Sequence, residues 1–238
     1  MIIRKNKVFE YLFDVVVIFV GITISFYADN WKRSNEESQL EAEYLNGFLQ
    51  DLKSDKEKLE MAMVSAGVVN ASSIKLLGYI GRKEFQPDSF YFHSAQILEV
   101  IDFKPNMHTY EEIKSTSQLK LIKDDQLRKQ IIDLYEFYKH LDFVDMLARK
   151  QQLEYYLPYI TERIDQEAWG KVSDNISVVG DKVYEQDVRK LIGDVKFKNC
   201  LINVNTTFNQ TQTHYLEGNQ KCKDLLTKIQ ALVASNQE

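Results

Sequence analysis

The sequence predicts an all-α protein, in which an N-terminal transmembrane helix continues into an amphipathic helix and a soluble bundle of long helices follows. Only 9 glycines and 3 prolines occur in 238 residues, too few for the frequent turns of an all-β fold or the Gly-rich crossovers of a doubly wound α/β fold. Apolar residues recur three and four positions apart over long stretches, which is the spacing of one helix face. The aromatic content of 12% excludes an intrinsically disordered chain.

The N-terminal segment predicts a basic tail over residues 1–7 and a transmembrane helix over residues 8–31. The tail has basic residues and no acid, and the apolar run after it is long enough to cross the hydrocarbon core of a bilayer. Tyr27 and Trp31 fall where aromatic residues of a membrane interface are expected. A cleaved signal peptide and a buried core helix are the competing interpretations. The large residues before Ala28 disfavour the first of these.

The distribution of positive charge predicts the orientation. A basic tail favours a cytoplasmic N-terminus, so residues 32–238, the predicted helical bundle domain, would be exported. Lys32 and Arg33, on the other side of the span, oppose this bias. We therefore expect a single-pass protein of the bacterial inner membrane, with a cytoplasmic tail and a periplasmic C-terminal domain.

One face of the predicted membrane helix differs from the rest. At 100° per residue the acidic and small side chains of the span fall within a sector of roughly 60°. These residues are Glu10, Asp14, Gly21, Ser25 and Ala28. The small pair at positions 21 and 25 allows close helix approach, and acids in hydrocarbon are costly unless partnered. The stripe predicts a helix–helix interface; the alternative is that the acids only reach back to the headgroups.

The soluble part predicts a series of helices joined by short turns. An amphipathic helix buries apolar residues from Ala42 to Met63 and ends near Gly78 and Gly81. The later helices are predicted at Asp88–Ile101 with Asp88 as N-cap, at Thr109–Lys114 with a Thr109/Glu112 capping box, at Gln126–Glu167 with Asp124 or Asp125 as cap and Pro158 as a kink, near 185–192, and at Val195–Ala234. The apolar stripe predicted for the longest of these includes Leu147 and Leu153.

Composition and motifs indicate no catalytic, metal-binding or nucleic-acid-binding function. The net charge of −5 argues against nucleic acid as a partner, and two cysteines are too few for a disulfide scaffold or a Cys-based zinc site. No phosphate-binding loop, nucleophile elbow or zinc-protease motif occurs. Glu136 and His140 are four positions apart, a spacing that more often marks an exposed polar pair than half of a metal site. We therefore expect no catalysis, no cofactor and no metal.

Two stretches carry a resemblance to a known family. The first runs from Glu10 to Trp31 and ends in Ala28-Asp29-Asn30-Trp31; the second is Thr109–Ser115, followed by Leu119–Asp124 and Gln126–Arg128. Together they resemble a family of uncharacterised bacterial single-pass membrane proteins, described only as a domain of unknown function. The resemblance implies an N-terminal anchor and a helical soluble domain, and it implies no activity.

The second stretch also has a structural interpretation. We expect Tyr110 and Ile113 to fix a short helix on the bundle, and the apolar residues after the turn to cross its end; these are Leu119, Leu121 and Ile122. In the resembled family the turn after the serine usually carries glycine, whereas this chain has Thr116-Ser117-Gln118. Serine adopts the left-handed backbone conformation less readily than glycine, so this sequence favours a left-handed turn less than the family's sequence does.

Three functions stay open from the sequence. The first is an accessory, scaffold or interaction subunit of a membrane complex, whose partners are the lipid bilayer and either a membrane protein or a second copy of the chain. The second is a ligand-sensing or ligand-binding helical module. The third is a component of an ion-coupled membrane complex that uses Glu10 and Asp14.

Overall fold

The computed structural model describes residues 5–100 and 102–235, and it leaves out the side chains of residues 5–8 and of Glu10. Within these ranges the chain is helical and contains no strand, which confirms the prediction of an all-α protein. The elements are α1 (Lys5–Arg82), α2 (Pro87–Gln96), α3 (His108–Ser115), a 3-10 turn (Gln118–Leu121), α4 (Asp125–Lys150), a π-helical segment (Gln151–Tyr156), α5 (Leu157–Thr161), α6 (Glu167–Ser173), α7 (Lys182–Ile192) and α8 (Val195–Ser235).

Helix α1 is a single helix of 78 residues, roughly 117 Å long at the α-helical rise. Its N-terminal part, from Tyr11 through Glu37, exposes every side chain. From Tyr44 onward the helix buries one face, with Phe48 and Leu52 completely covered. The same helix therefore has an uncovered apolar part and a part that belongs to a folded core. Only the first four residues of the predicted tail lie outside the described range.

Helices α1 and α8 pack side by side in opposite directions. Asn205 on α8 meets Asn70 on α1, whereas Cys222, further along α8, donates to the Leu52 carbonyl, earlier on α1. Helix α4 packs against α8 and completes the core with large apolar and aromatic side chains. The largest of the fully covered side chains are Phe48, Phe90, Tyr91, Phe103, Tyr135, Tyr138, Tyr156, Phe197, Phe208 and Tyr215.

Two predicted helix caps are wrong. Helix α2 begins at Pro87 after Gln86, since proline fits the first helical position. Asp88 lies inside its first turn, where its carboxylate accepts from the Val178 N–H at 2.7 Å and ties α2 to the loop before α7. Helix α2 also ends at Gln96 rather than at the predicted Ile101. Helix α3 begins at His108, so Thr109 is inside it and forms no capping box with Glu112.

The long predicted helix from Gln126 is divided. Asp124 is its N-cap, accepting from the N–H groups of Gln126 and Leu127 at 2.8 and 2.9 Å. The α-helix ends at Lys150, and a π-helical segment precedes Pro158, whose missing N–H cannot continue the normal ladder. The following helix ends at Thr161, short of the predicted Glu167.

The core stripe of α4 also differs from the prediction at its C-terminal end. Leu147 is 41% exposed and Leu153 is 51% exposed. Asp145, Ala148 and Gln152 occupy the buried positions instead. These three residues continue the buried face of the helix. The side chains of Asp145 and Gln152 form hydrogen bonds with the segment between α2 and α3.

Candidate functional site

The uncovered part of α1 is the most apolar surface of the protein. Among the described residues α1 is the one helix long and apolar enough to cross a membrane, and it lies near the N-terminus. An 18-residue window in it has a mean hydropathy of 2.0, and none of its residues is buried. Single exposed apolar residues are normal on a protein surface, but a continuous apolar cylinder is not.

The predicted interface stripe lies on this cylinder. Asp14, Gly21, Ser25 and Ala28 are all exposed, and no other described part of the chain packs on them. A methyl group added at Gly21 would meet nothing within 4 Å. The Ser25 hydroxyl donates to the Gly21 carbonyl at 2.9 Å, which satisfies it within the helix. The side chain of Glu10 lies outside the described residues. The stripe as an interface therefore stays a prediction.

Segment 102–107 is a loop that side chains of α1 and α4 hold by several hydrogen bonds. The Asn106 N–H donates to Asp55 of α1 at 2.8 Å, and the Phe103 N–H donates to Asp145 of α4 at 3.2 Å. Lys58 donates to the Lys104 carbonyl at 2.9 Å. The loop is thus held from two helices by carboxylates that are themselves buried, Asp55 at 0% and Asp145 at 4% exposure.

Burial changes the acidity of both carboxyl groups. Desolvation raises the pKa of Asp55 to about 6, although the Asn106 N–H and Lys58 act in the opposite direction. Desolvation likewise raises the pKa of Asp145 to about 6, against the hydrogen bond from Tyr215 and the Phe103 N–H. Removing a carboxylate from water disfavours its charged form, and the donors recover only part of that cost. Both groups consequently titrate close to neutral pH.

Tyrosines surround the same region. The rings of Tyr110 and Tyr135 are stacked, with centroids 4.3 Å apart and planes 2° apart, and Tyr138 meets Tyr135 edge-on. The hydroxyls of Tyr135 and Tyr138 are buried and have no partner among the described residues. Burial raises the pKa of the Cys222 thiol to about 11, so the thiol is protonated and donates to a backbone carbonyl rather than acting as a nucleophile.

The sequence-predicted structural motif lies at the end of this core that is nearest the uncovered part of α1. Tyr110, Ile113 and Ile122 are buried, and Leu119 and Leu121 are half-buried against the core. Ser117, in the turn between them, has φ of 58°, which is the left-handed region. The backbone therefore makes the turn that glycine would favour, with a serine.

The sequence patterns do not predict a contact between two histidines of different helices. His140 of α4 and His214 of α8 meet with ring centroids 5.0 Å apart and planes 81° apart. The residues are far apart in sequence, so spacing rules could not reveal the pair. Among the described residues, no group of three or more His, Cys, Asp or Glu is arranged to hold a metal ion.

A scan against protein-family models and searches of curated proteins and solved structures gave no match to this chain.

Proposed function

We propose that this protein is a single-pass membrane subunit whose helical domain lies outside the bilayer and whose membrane helix binds a partner helix. In this proposal it is an accessory or scaffold component without catalysis of its own. The observation that carries it is the apolar cylinder of α1, which the protein's own helices leave uncovered. The resemblance of residues 10–31 and 109–128 to single-pass membrane proteins supports the same organisation.

The exposed apolar side chains of α1 favour insertion of this segment into a bilayer. Phe13, Ile18 and Phe19 are each more than 60% exposed, as are others along the segment. Covering each such side chain is worth about 1.5–3 kcal/mol, so the whole segment strongly favours transfer from water into lipid. A helix also satisfies its own backbone hydrogen bonds, as hydrocarbon requires. The α1 segment meets both conditions.

The small and acidic face points to a protein partner as well as lipid. An aspartate at the centre of a bilayer costs about 2.5–3.5 kcal/mol, and a donor across a helix contact lowers that cost. Gly21 and Ser25 let a second helix approach closely, and a shallow groove runs past them between Ile18 and Asp29. We place Asp14 at this contact, bonded to the neighbouring helix or protonated.

The helical domain has a core filled by aromatic side chains, and its buried Cys222 thiol is held protonated. These features fit a packed structural domain, and we assign it the role of the interaction subunit outside the bilayer. The basic tail at the other end of the span favours export of this domain. We place the domain in the periplasm of a bacterium, with the anchor in the inner membrane.

The interface is tested by substitutions in the full chain, expressed in bacterial membranes. Gly21→Leu, Ser25→Leu and Asp14→Asn are expected to reduce co-purification of the partner, or of a differently tagged second copy, after mild detergent extraction. Thr23→Leu is the matched control, because Thr23 faces away from the stripe and its hydroxyl bonds only to the Phe19 carbonyl. If all three stripe variants retain the parent's complexes, the stripe is not an interface.

Orientation has an independent test. A reporter enzyme that is active only after export, fused to the C-terminus, is expected to be active. Activity of a cytoplasm-only reporter instead would show that Lys32 and Arg33 set the topology, and the periplasmic assignment would be wrong.

A further inference from the structure

His140 and His214 form a cross-helix pair that has no role in the fold's core. His140 is exposed and His214 is half-exposed, so both imidazoles are open to solvent. They come from α4 and α8, two helices that pack directly against each other. The two rings meet each other with centroids 5.0 Å apart. Neutral imidazole is the commonest side-chain metal ligand, and two imidazoles on neighbouring helices can bind one ion together.

The separation of the rings matches that of two imidazoles on one cation. A metal–nitrogen bond is about 2.0–2.1 Å, and the ring centre lies about 1.1 Å beyond the nitrogen, so two imidazoles on a tetrahedral ion have centroids about 5.2 Å apart. The observed 5.0 Å needs almost no movement of either helix. Chelation also requires each ring to rotate about its side-chain bonds, so that one nitrogen from each ring faces a common point.

Carboxylates lie one helical turn from each histidine. Glu136 precedes His140 by one turn of α4, and Glu217 follows His214 by one turn of α8. Each carboxylate currently pairs with a lysine of its own helix, Glu136 with Lys139 at 2.6 Å and Glu217 with Lys221 at 3.4 Å. No third His, Cys, Asp or Glu among the described residues is arranged with the two histidines to hold a metal ion, so the remaining ligands would be water.

We propose that His140 and His214 form a surface site for a divalent transition cation of the zinc, copper or nickel class. The two imidazoles are the protein ligands, and water completes the coordination. Imidazole ligands select these ions over magnesium and calcium, which prefer oxygen. The bound ion joins α4 to α8 outside the membrane segment.

The test uses the detergent-purified full chain with any affinity tag removed, titrated with Cu(II) and, separately, with Zn(II) by calorimetry. We expect one ion per chain, and either His140→Ala or His214→Ala is expected to weaken binding by about 10- to 100-fold, since each leaves a monodentate site. The double variant is expected to bind no ion at this site, because it keeps neither imidazole. His108→Ala is the control, because His108 is exposed and lies on α3 rather than on α4 or α8. Saturating metal is also expected to raise the melting temperature of the parent and of His108→Ala, and not that of the two single variants.

Several outcomes would overturn the proposal. If each single variant lowers the number of ions bound without changing their affinity, the histidines bind separately and there is no chelate. If His108→Ala weakens binding as much as the others, binding is spread over surface histidines. Absence of saturable binding in the parent would show that there is no metal site. That result would leave the membrane-subunit proposal unaffected, because this experiment does not test it.

Discussion

The Tyr215 hydroxyl of α8 donates a hydrogen bond to the buried carboxylate of Asp145 on α4. The other carboxylate oxygen of Asp145 accepts from the Phe103 N–H at 3.2 Å. One aspartate thus connects the last helix, the central helix and the loop that crosses between them. The arrangement makes the stability of the helical domain sensitive to the loss of a single hydroxyl.

Tyr215→Phe is expected to lower the free energy of unfolding by about 1–3 kcal/mol, because it removes the donor and leaves a buried acceptor unsatisfied. Urea unfolding of the detergent-purified chain, followed by circular dichroism, measures the change. Tyr155→Phe is the matched control, since Tyr155 is 51% exposed. Equal unfolding midpoints for the two variants would contradict the role given to the Tyr215–Asp145 bond.

The buried carboxyl groups predict a pH dependence of stability. The pKa of Asp55 rises from 3.8 to about 6 on folding, so the folded chain binds the proton more tightly than the unfolded chain between these values. The stabilisation of the folded state that comes from protonated Asp55 is therefore fully present below about pH 4 and is lost as the pH rises through about 6. Asp55→Asn keeps the oxygen that accepts from the Asn106 N–H but no longer titrates. The unfolding free energy of the parent, minus that of Asp55→Asn, is expected to fall between pH 4 and pH 7.

The control for this comparison is Asp133→Asn, at an exposed position of α4. The parent-minus-variant difference is expected to change more with pH for Asp55 than for Asp133, because only Asp55 is buried. A difference for Asp55 that rises with pH would mean that donors, rather than desolvation, dominate its environment.

Gly47 is required by close approach rather than by backbone conformation. A Cβ at this position would lie 2.9 Å from Oγ1 and 3.0 Å from Cγ2 of Thr109. Thr109 is β-branched and buried, and its N–H donates to Asp51, so it has little freedom to move. Gly47→Ala is expected to destabilise the domain by about 1–3 kcal/mol through overpacking, measured by urea unfolding.

Gly78→Ala provides the opposite expectation on the same helix. A Cβ there meets nothing within 4 Å, so the substitution is expected to stabilise by about 0.5–1 kcal/mol through helix propensity. In the Gly47→Ala background, Thr109→Ala is expected to recover part of the loss. Destabilisation of similar size at both glycines would show that contact with Thr109 is not the cause.

Ser117→Gly is expected to stabilise the protein by about 0.5–1 kcal/mol. Ser117 has φ of 58°, and the left-handed conformation is strained for a residue with a Cβ. Ser65→Gly, in the interior of α1, is the control and is expected to destabilise by a similar amount, because glycine is a poor helix former. Thermal unfolding of both variants measures the two signs, and destabilisation by Ser117→Gly would contradict the strain.

Much of the helical layout could be predicted because long helices have few interruptions. The last helix was expected over Val195–Ala234 and is found over Val195–Ser235, since no glycine turn or proline divides it. Asp124 was one of two candidate caps, and its carboxylate position decides between them. The membrane-spanning potential of α1 also follows from local composition, because lipid compatibility depends on a continuous run of side chains.

The buried polar sites could not be predicted in the same way. Asp55 and Asp145 lie on the buried faces of their helices. A prediction based on the spacing of apolar residues assigns core positions to apolar neighbours such as Leu147 instead. Their partners, Asn106 and Phe103, are 51 and 42 positions away along the chain. Only the three-dimensional packing brings a backbone N–H to each carboxylate and makes a polar residue acceptable in the core. The helix-capping errors have a similar origin, because Thr109 bonds across the fold to Asp51.

The antiparallel contact of α1 with α8 also sets an order of events during protein synthesis. The bond between Cys222 and the Leu52 carbonyl spans 170 positions, and the contact between Asn219 and Met63 spans 156. A nascent chain that has reached Gly193 has made all of α1 and α4 but none of the helix that covers their inner faces. Those faces stay open until the last 41-residue helix leaves the ribosome. Ribosome stalling or C-terminal truncation within α8 therefore leaves a partly folded chain with exposed apolar faces, which is a substrate for chaperones.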